Sequence, residues 1–165
     1  MKFFSFLILI SVLSFSSCTS NEQLTVEQKA QVINESTLIV QKIFNASNEM
    51  RFLEGLNFYS DEDDALFVTE GKAKNLKELK EEYKVAGALV EDLENTILQW
   101  HTKVLSDKTV LFTLEVQLRL KLKDYEEYTG KLTWTATLQK YNDKWLVVQS
   151  HESWMDVAEM IKAFS

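Results

Sequence analysis

The feature that most constrains the fold is a long stretch in which apolar and polar residues alternate. From Val110 to Leu122 every second residue is apolar, and from Thr113 onward the residues between them are Thr, Glu, Gln, Arg and Lys. Successive side chains of a β-strand point to opposite faces of its sheet. The stretch therefore predicts a long strand in an antiparallel sheet with one buried face and one face in water.

Three neighbouring segments have the same period, so the second half of the chain predicts four strands joined by hairpins, at residues 96–105, 109–122, 128–138 and 144–151. Asn142-Asp143 fits a two-residue hairpin turn. A regular ladder from that turn pairs Leu138 with Val147, Ala136 with Gln149 and Trp134 with His151, all facing the core.

The registers of the other two hairpins depend on loop length. A loop over residues 123–127 pairs Leu122 with Tyr128 and Val116 with Trp134. A loop over residues 106–108 pairs Trp100 with Leu114 and places Trp100 on the apolar face. Because one step of register moves every side chain to the other face, a loop one residue longer or shorter would bring in His101 instead.

The first half of the chain predicts helices. Thr25 to Gln28 fits a capping box, and the apolar spacing that follows predicts a helix to about residue 48. Residues 51–59 predict a short helical turn, residues 61–64 a turn and residues 65–69 a strand. A second box-like start at Asn75 opens another helix, and residues 153–164 form an amphipathic terminal helix. This order of elements is typical of an α+β fold.

Two segments carry a resemblance to a known family. They are residues 58–68 and residues 140–153, the second with Trp145, His151 and Ser153 at a characteristic spacing. Over residues 25–154 the chain resembles the SnoaL-like branch of the nuclear transport factor 2-like superfamily. The resemblance implies a cone-shaped, cystatin-like fold, in which helices close a curled antiparallel sheet into a pocket. Members of this superfamily include isomerases, dehydratases, cyclases and non-enzymatic binding proteins, and they often form homodimers, so the resemblance does not define one function.

On this geometry the candidate ligand-binding residues are Tyr83, Trp100, Trp134, Gln149 and His151. Each also has a structural interpretation, since aromatic side chains at core spacing often only pack and His151 could satisfy a buried neighbour. No carboxylate is expected to face the pocket, because Glu115 and Glu152 fall on the other face. We therefore assign no catalytic residue, and the spacing of the histidines predicts neither metal nor cofactor.

The N-terminus predicts export. Lys2, an apolar run and small residues before Cys18 fit a signal peptide of residues 1–17 whose end resembles a bacterial lipobox, with Phe15 where Leu or Val is usual. Cys18 would carry the lipid, residues 18–24 would form a tether and residues 25–165 one domain. The protein would then be lipid-anchored to a bacterial cell membrane. The alternative is an ordinary signal peptide that leaves Cys18 as a free thiol.

Charge narrows the classes of partner. The net charge is −7 at pH 7, which disfavours nucleic acid as a partner. Three interpretations stay open: a membrane-tethered protein that binds a small hydrophobic ligand, a non-catalytic dimeric scaffold, and a SnoaL-like isomerase or dehydratase. An apolar, aromatic pocket with a few polar groups favours the first, and the expected lack of an inward carboxylate disfavours the enzyme.

Overall fold

A computed structural model of the chain describes residues 24–69, 71–154 and 157–163. The signal peptide, Cys18 and most of the tether lie outside the described residues. The helices are α1 (Val26–Asn48), α2 (Phe52–Gly55), α3 (Leu76–Gly87) and α4 (Val157–Ala163), with a 3-10 turn at Leu56–Phe58. The strands are β1 (Leu66–Thr69), β2 (Lys72–Lys74), β3 (Val90–Ser106), β4 (Thr109–Leu122), β5 (Glu127–Tyr141) and β6 (Lys144–Trp154).

The six strands form one sheet in the order β2-β1-β6-β5-β4-β3. Neighbouring strands are antiparallel except β1 and β6, which run parallel. The N-terminal helices pack on one face of this curled sheet, so the predicted α+β cone is confirmed. Sequence analysis missed β2 and the parallel pairing, and it placed the start of β3 six residues too late.

Helices α1 and α3 begin where the sequence predicts them, but the terminal helix, which was expected from residue 153, begins at Val157 because β6 continues to Trp154. Thr25 accepts a hydrogen bond from the backbone N–H of Gln28 at 3.2 Å, and the Gln28 side chain accepts one from the Thr25 backbone at 2.8 Å. Asn75 and Glu78 make the same reciprocal pair at the start of α3. Both capping boxes satisfy N–H groups that the first helical turn leaves without partners.

The sheet has one buried and one exposed face, as the alternation predicts. Four inward residues of β4 are fully buried, namely Val110, Phe112, Leu114 and Val116, and the inward residues toward its end are half-buried. The outward, convex face is polar, and on it Arg119 forms ion pairs with Asp92, Glu94 and Glu127. In the described part of the chain, no helix is both long and apolar enough to cross a membrane.

Two of the predicted hairpin registers can be compared directly. Trp100 pairs with Leu114, as predicted. The register between β4 and β5 differs from the prediction by two residues, since Leu120 rather than Leu122 pairs with Tyr128, and Leu114 rather than Val116 pairs with Trp134. A shift of two residues keeps every side chain on its predicted face, because the period of a strand is two.

The hairpin of β5 and β6 contains a β-bulge that sequence analysis missed. The turn and the pairing of Leu138 with Val147 are as predicted, but the next pair is Thr137 with Gln149, so Val148 has no opposite residue. Beyond the bulge Ala136 pairs with Ser150 and Trp134 with Glu152. The extra residue turns the rest of the strand over. The predicted inward orientation of Gln149 and His151 is therefore wrong.

A polar network fastens α1 to the same hairpin. One carboxylate oxygen of Glu35 accepts hydrogen bonds from Lys140 Nζ at 2.8 Å and from the indole of buried Trp145 at 3.0 Å. The other accepts one from Gln31 at 2.9 Å. These hydrogen bonds lower the pKa of Glu35 to about 2, and the bond from Lys140 has the largest effect. The network therefore joins α1 to the β5–β6 hairpin next to its turn.

We expect Glu35→Gln to lower the free energy of unfolding by roughly 1 kcal/mol at pH 7, a modest value because Glu35 is one-third exposed. Because the pKa of Glu35 is lower in the folded state, its ionised carboxylate stabilises the folded protein at pH values above the ordinary pKa of 4.5. This stabilisation is lost as the pH falls toward about 2. The difference in the free energy of unfolding between the variant and wild type should therefore shrink between pH 5 and pH 2. Urea unfolding across this range measures it, with exposed Glu81→Gln as control. A difference independent of pH would contradict the assignment.

Candidate functional site

A cavity lies between the helices and the concave face of the sheet. Its inner part has a volume of about 80 Å³ and is enclosed by the end of α1, by α2, and by β5 and β6. An outer part of about 220 Å³ continues toward α3 and β3. The two parts form one site, because they share six lining residues: Ser47, Phe52, Tyr83, Asn95, Leu132 and Glu152.

The polar centre of the cavity is a carboxylate between two phenols. Glu152 projects from β6, Tyr83 from α3 and Tyr59 from the segment after the 3-10 turn. The negative charge of Glu152, burial, and hydrogen bonding to Glu152 hold the pKa of Tyr83 well above its ordinary value. Burial and the same charge raise the pKa of Tyr59. Both phenols therefore stay protonated near neutral pH, and the Tyr83 hydroxyl donates a hydrogen bond to Glu152.

The Tyr59 oxygen has its own partners. Hydrogen bonding from Ser150 and from the Trp134 indole lowers the pKa of Tyr59, in opposition to burial. The Tyr59 ring also packs edge-on against buried Phe67, with centroids 5.0 Å apart. These contacts hold the phenol in one orientation at the base of the cavity, so a ligand meets a preformed polar group.

The rim of the cavity is fixed where α1 ends against β3. The side chain of Asn48 donates to the backbone oxygen of Asn95 at 3.0 Å and accepts from its backbone N–H at 2.7 Å. The Asn95 amide donates to the hydroxyl of Ser47 at 3.1 Å. These bonds place Ser47 and Asn95 side by side on the cavity wall, at the junction of its inner and outer parts.

A second carboxylate, that of Glu82, lies at the outer part and is offset by a lysine. Lys74 is only 9% exposed and forms an ion pair with Glu82, which also accepts a hydrogen bond from Thr69 at 2.9 Å. Burial alone would raise the pKa of Glu82, but the bonds from Lys74 and Thr69 outweigh it and hold the pKa below its ordinary value. The cluster closes the wall with little net charge.

Of the five predicted ligand-binding residues, two line the cavity and three do not. Tyr83 and Trp134 line the cavity. Trp100 lies on the concave face beside Phe112, with ring centroids 6.1 Å apart, but it is 36% exposed and outside the cavity lining. Gln149 and His151 are exposed on the convex face, because of the bulge at Val148. His101 is also convex, 4.0 Å from Glu115.

Sequence analysis missed Glu152 and Tyr59. The expectation that no carboxylate faces the pocket is wrong for Glu152, since the bulge that moves His151 outward moves Glu152 inward. One signal in the sequence indicates this change. The two tryptophans of β6 differ in parity, since Trp145 occupies an odd position and Trp154 an even one. Such a change of parity within one strand is typical of a bulge.

The fold of the chain is similar to that of several solved structures, although their sequences differ from it. No protein-family profile and no curated protein matches the chain. A nuclear transport factor 2-like superfamily protein from Salmonella enterica serovar Typhimurium LT2 has a TM-score of 0.69 at 12% identity, over 76% of this chain and 92% of its own. A hexachlorocyclohexane dehydrochlorinase, LinA-type3, from Novosphingobium barchaimii LL02 has a TM-score of 0.68 at 10% identity, over 79% and 90%.

A third similar structure is a hub domain. The CaMKII hub homology domain of Chlamydomonas reinhardtii has a TM-score of 0.60 at 14% identity, over 74% of this chain and 97% of its own. These likenesses show that the chain has the nuclear transport factor 2-like fold. Because the neighbours include an enzyme and a hub domain, the fold alone does not define what the chain does.

The arrangement can hold a small molecule or move a proton. Apolar and aromatic walls with a few converging polar groups are typical of ligand sites. A carboxylate beside two phenols can also accept a proton from a bound molecule and donate hydrogen bonds to it. Among the described residues, no group of three or more His, Cys, Asp or Glu side chains is placed to hold a metal ion.

Proposed function

We propose that the chain is a binding protein for a small molecule with an apolar body, which occupies the cavity between the helices and the concave face. The observation that carries the proposal is the joined inner and outer cavity, with Glu152, Tyr59 and Tyr83 at its centre and aromatic rings around them. The polar groups fix the orientation of the ligand, and the apolar walls supply the free energy of burial.

We further propose that Cys18 carries a lipid and tethers the protein to a bacterial cell membrane. The support is the sequence of residues 1–18 alone, which fits a signal peptide ending in a lipobox-like Ser16-Ser17-Cys18. Such a protein would hold its ligand outside the cytoplasm.

Glu152 supports a second candidate, an enzyme that catalyses proton transfer. A general base must be placed within reach of its substrate, and an inward carboxylate flanked by protonated phenols meets that requirement. The dehydrochlorinase among the structural neighbours is an enzyme with this fold. Binding is the better supported function, because the joined cavity supports it directly, whereas catalysis needs in addition a bound substrate with a proton that Glu152 can reach.

Native mass spectrometry of the full-length protein, purified from bacterial membranes in mild detergent, tests the proposals. We expect wild type to carry a bound small molecule and a lipid on Cys18. Ser47→Phe fills the junction of the two cavity parts, so this variant should lose the molecule, whereas Ser153→Phe at an exposed position should retain it. The same spectra report whether the protein is a monomer or a homodimer.

An empty wild-type protein, or an equal load of ligand in Ser47→Phe, would contradict the binding proposal. An unmodified Cys18 would contradict the anchor and leave the binding proposal unaffected. The identity of the released molecule then provides the substrate with which turnover by wild type and Glu152→Gln can be compared.

A further inference from the structure

The hydrogen bonds at the junction of the two cavity parts fix the orientation of two amide side chains. Asn48 binds both polar groups of the Asn95 backbone, since its Nδ2 donates to the carbonyl oxygen at 3.0 Å and its Oδ1 accepts from the N–H at 2.7 Å. A carbonyl oxygen only accepts and an N–H only donates, so the Asn48 amide has one possible orientation. The atom of the Asn95 side chain that lies 3.1 Å from Asn48 Oδ1 is therefore its donor, Nδ2.

The same reasoning assigns the hydroxyl of Ser47. Asn95 Nδ2 also lies 3.1 Å from Ser47 Oγ, which accepts this bond because an amide NH₂ group only donates. The hydroxyl hydrogen of Ser47 and the Oδ1 of Asn95 have no further partner among the residues that the structure describes. Both residues line both parts of the cavity. The junction therefore offers a ligand one donor and, beside it, one acceptor.

We infer that the ligand carries a neutral group with a hydrogen-bond acceptor next to a donor, as in a carboxamide or a lactam, and that Ser47 and Asn95 bind this group. This inference rests on the proposed function. The Ser47 hydroxyl donates to the carbonyl oxygen of the ligand, and Asn95 Oδ1 accepts from its N–H. A carboxylate offers only acceptors and an ammonium group only donors, so each would leave one of the two protein groups without a partner. A polar group left unmatched in a closed site costs affinity.

The surroundings of the junction suit such a ligand. Phe52 and Leu132 line both cavity parts beside the polar pair, and apolar neighbours that exclude water strengthen a hydrogen bond. The outer part, about 220 Å³, is larger than the cavity of about 150 Å³ that holds benzene in another protein. Its walls include Leu93, Leu118 and Leu120, which suit an aryl or alkyl body.

Calorimetric titration of the full-length protein with two probes of nearly identical shape tests the inference. The carbonyl of 2-phenylacetamide carries an NH₂ group and that of phenylacetone a methyl group, so only the amide offers a donor. We expect wild type to bind the amide at least about tenfold more tightly than the ketone. Asn95→Ala should remove this preference, because it removes the acceptor. Ser47→Ala should weaken the binding of both probes by about fivefold, because both carbonyl oxygens accept from the hydroxyl.

The matched control is Thr96→Ala, at the exposed neighbouring position of β3, which should leave both affinities unchanged. Circular dichroism melting shows whether each variant is folded. If a variant is not folded, the comparison of the two probes on wild type is decisive by itself.

Three outcomes would overturn the inference. Equal affinity of wild type for the amide and the ketone would show that the donor is not recognised, while leaving the small-molecule proposal intact. An undiminished preference in Asn95→Ala, or unchanged binding of both probes by Ser47→Ala, would assign recognition to other residues. If neither probe binds, the amide inference fails, and the ligand load of Ser47→Phe separately decides whether the cavity binds anything.

Discussion

Trp134→Ala should destabilise the protein by about 3–5 kcal/mol, the usual cost of truncating a buried Trp to Ala. Trp134 is 3% exposed, pairs with Leu114 on β4 and packs edge-on against Phe44 of α1. Truncation would enlarge the cavity and remove an aromatic contact between the sheet and the first helix. The midpoint of urea unfolding, followed by circular dichroism, measures the loss.

Trp100→Ala is the matched control for that change. Trp100 pairs with the same Leu114 from the opposite side, on β3, but 36% of it is exposed. Much of its surface already contacts water, so we expect its truncation to cost about 1–2 kcal/mol. Equal losses for the two variants would contradict the assignment of Trp134 to the core beneath α1.

Ser150→Lys should cost at least about 3 kcal/mol, whereas His151→Lys should change stability by no more than about 0.5 kcal/mol. Ser150 is 4% exposed on the concave side, where a lysine would lose its water without a partner, and His151 is exposed on the convex side. The two positions are adjacent in the chain, so their comparison reports directly which face each residue occupies.

A regular ladder in the β5–β6 hairpin would reverse this result. Without the bulge at Val148, position 151 would face the core and position 150 would face water. A large loss for His151→Lys with tolerance of Ser150→Lys would therefore contradict the register that places Glu152 in the cavity. Thermal melting of both variants at one pH is sufficient for the comparison.

Much of the fold could be predicted because its determinants are local. Capping boxes at Thr25 and Asn75, the period of β4 and the turn at Asn142-Asp143 each act within a few residues of the feature they specify. The parallel pairing of β1 with β6 could not be predicted in the same way. It joins Leu66 to Gln149, residues separated by about half the length of the chain, and no local pattern records such a contact.

The site was predicted only in part, because one bulged residue determines which side chains of β6 face the cavity. Tyr83 and Trp134 were placed correctly by helical and strand period. Val148 then reverses the orientation of all that follows it on β6, which exchanges His151 for Glu152 in the cavity wall. That exchange replaces an imidazole with a carboxylate at the centre of the cavity. The chemistry of the site thus depends on the register of a single strand.

The most direct test of the binding proposal is a nuclear magnetic resonance titration of the four tryptophan indole N–H signals with the small molecule released from the wild-type protein. Trp134 and Trp154 line the cavity, whereas Trp100 and Trp145 lie outside its lining. We expect saturable shifts of the Trp134 and Trp154 signals, with those of Trp100 and Trp145 unchanged. Saturable shifts confined to Trp100 or Trp145, or no shift at Trp134 and Trp154, would contradict binding in this cavity.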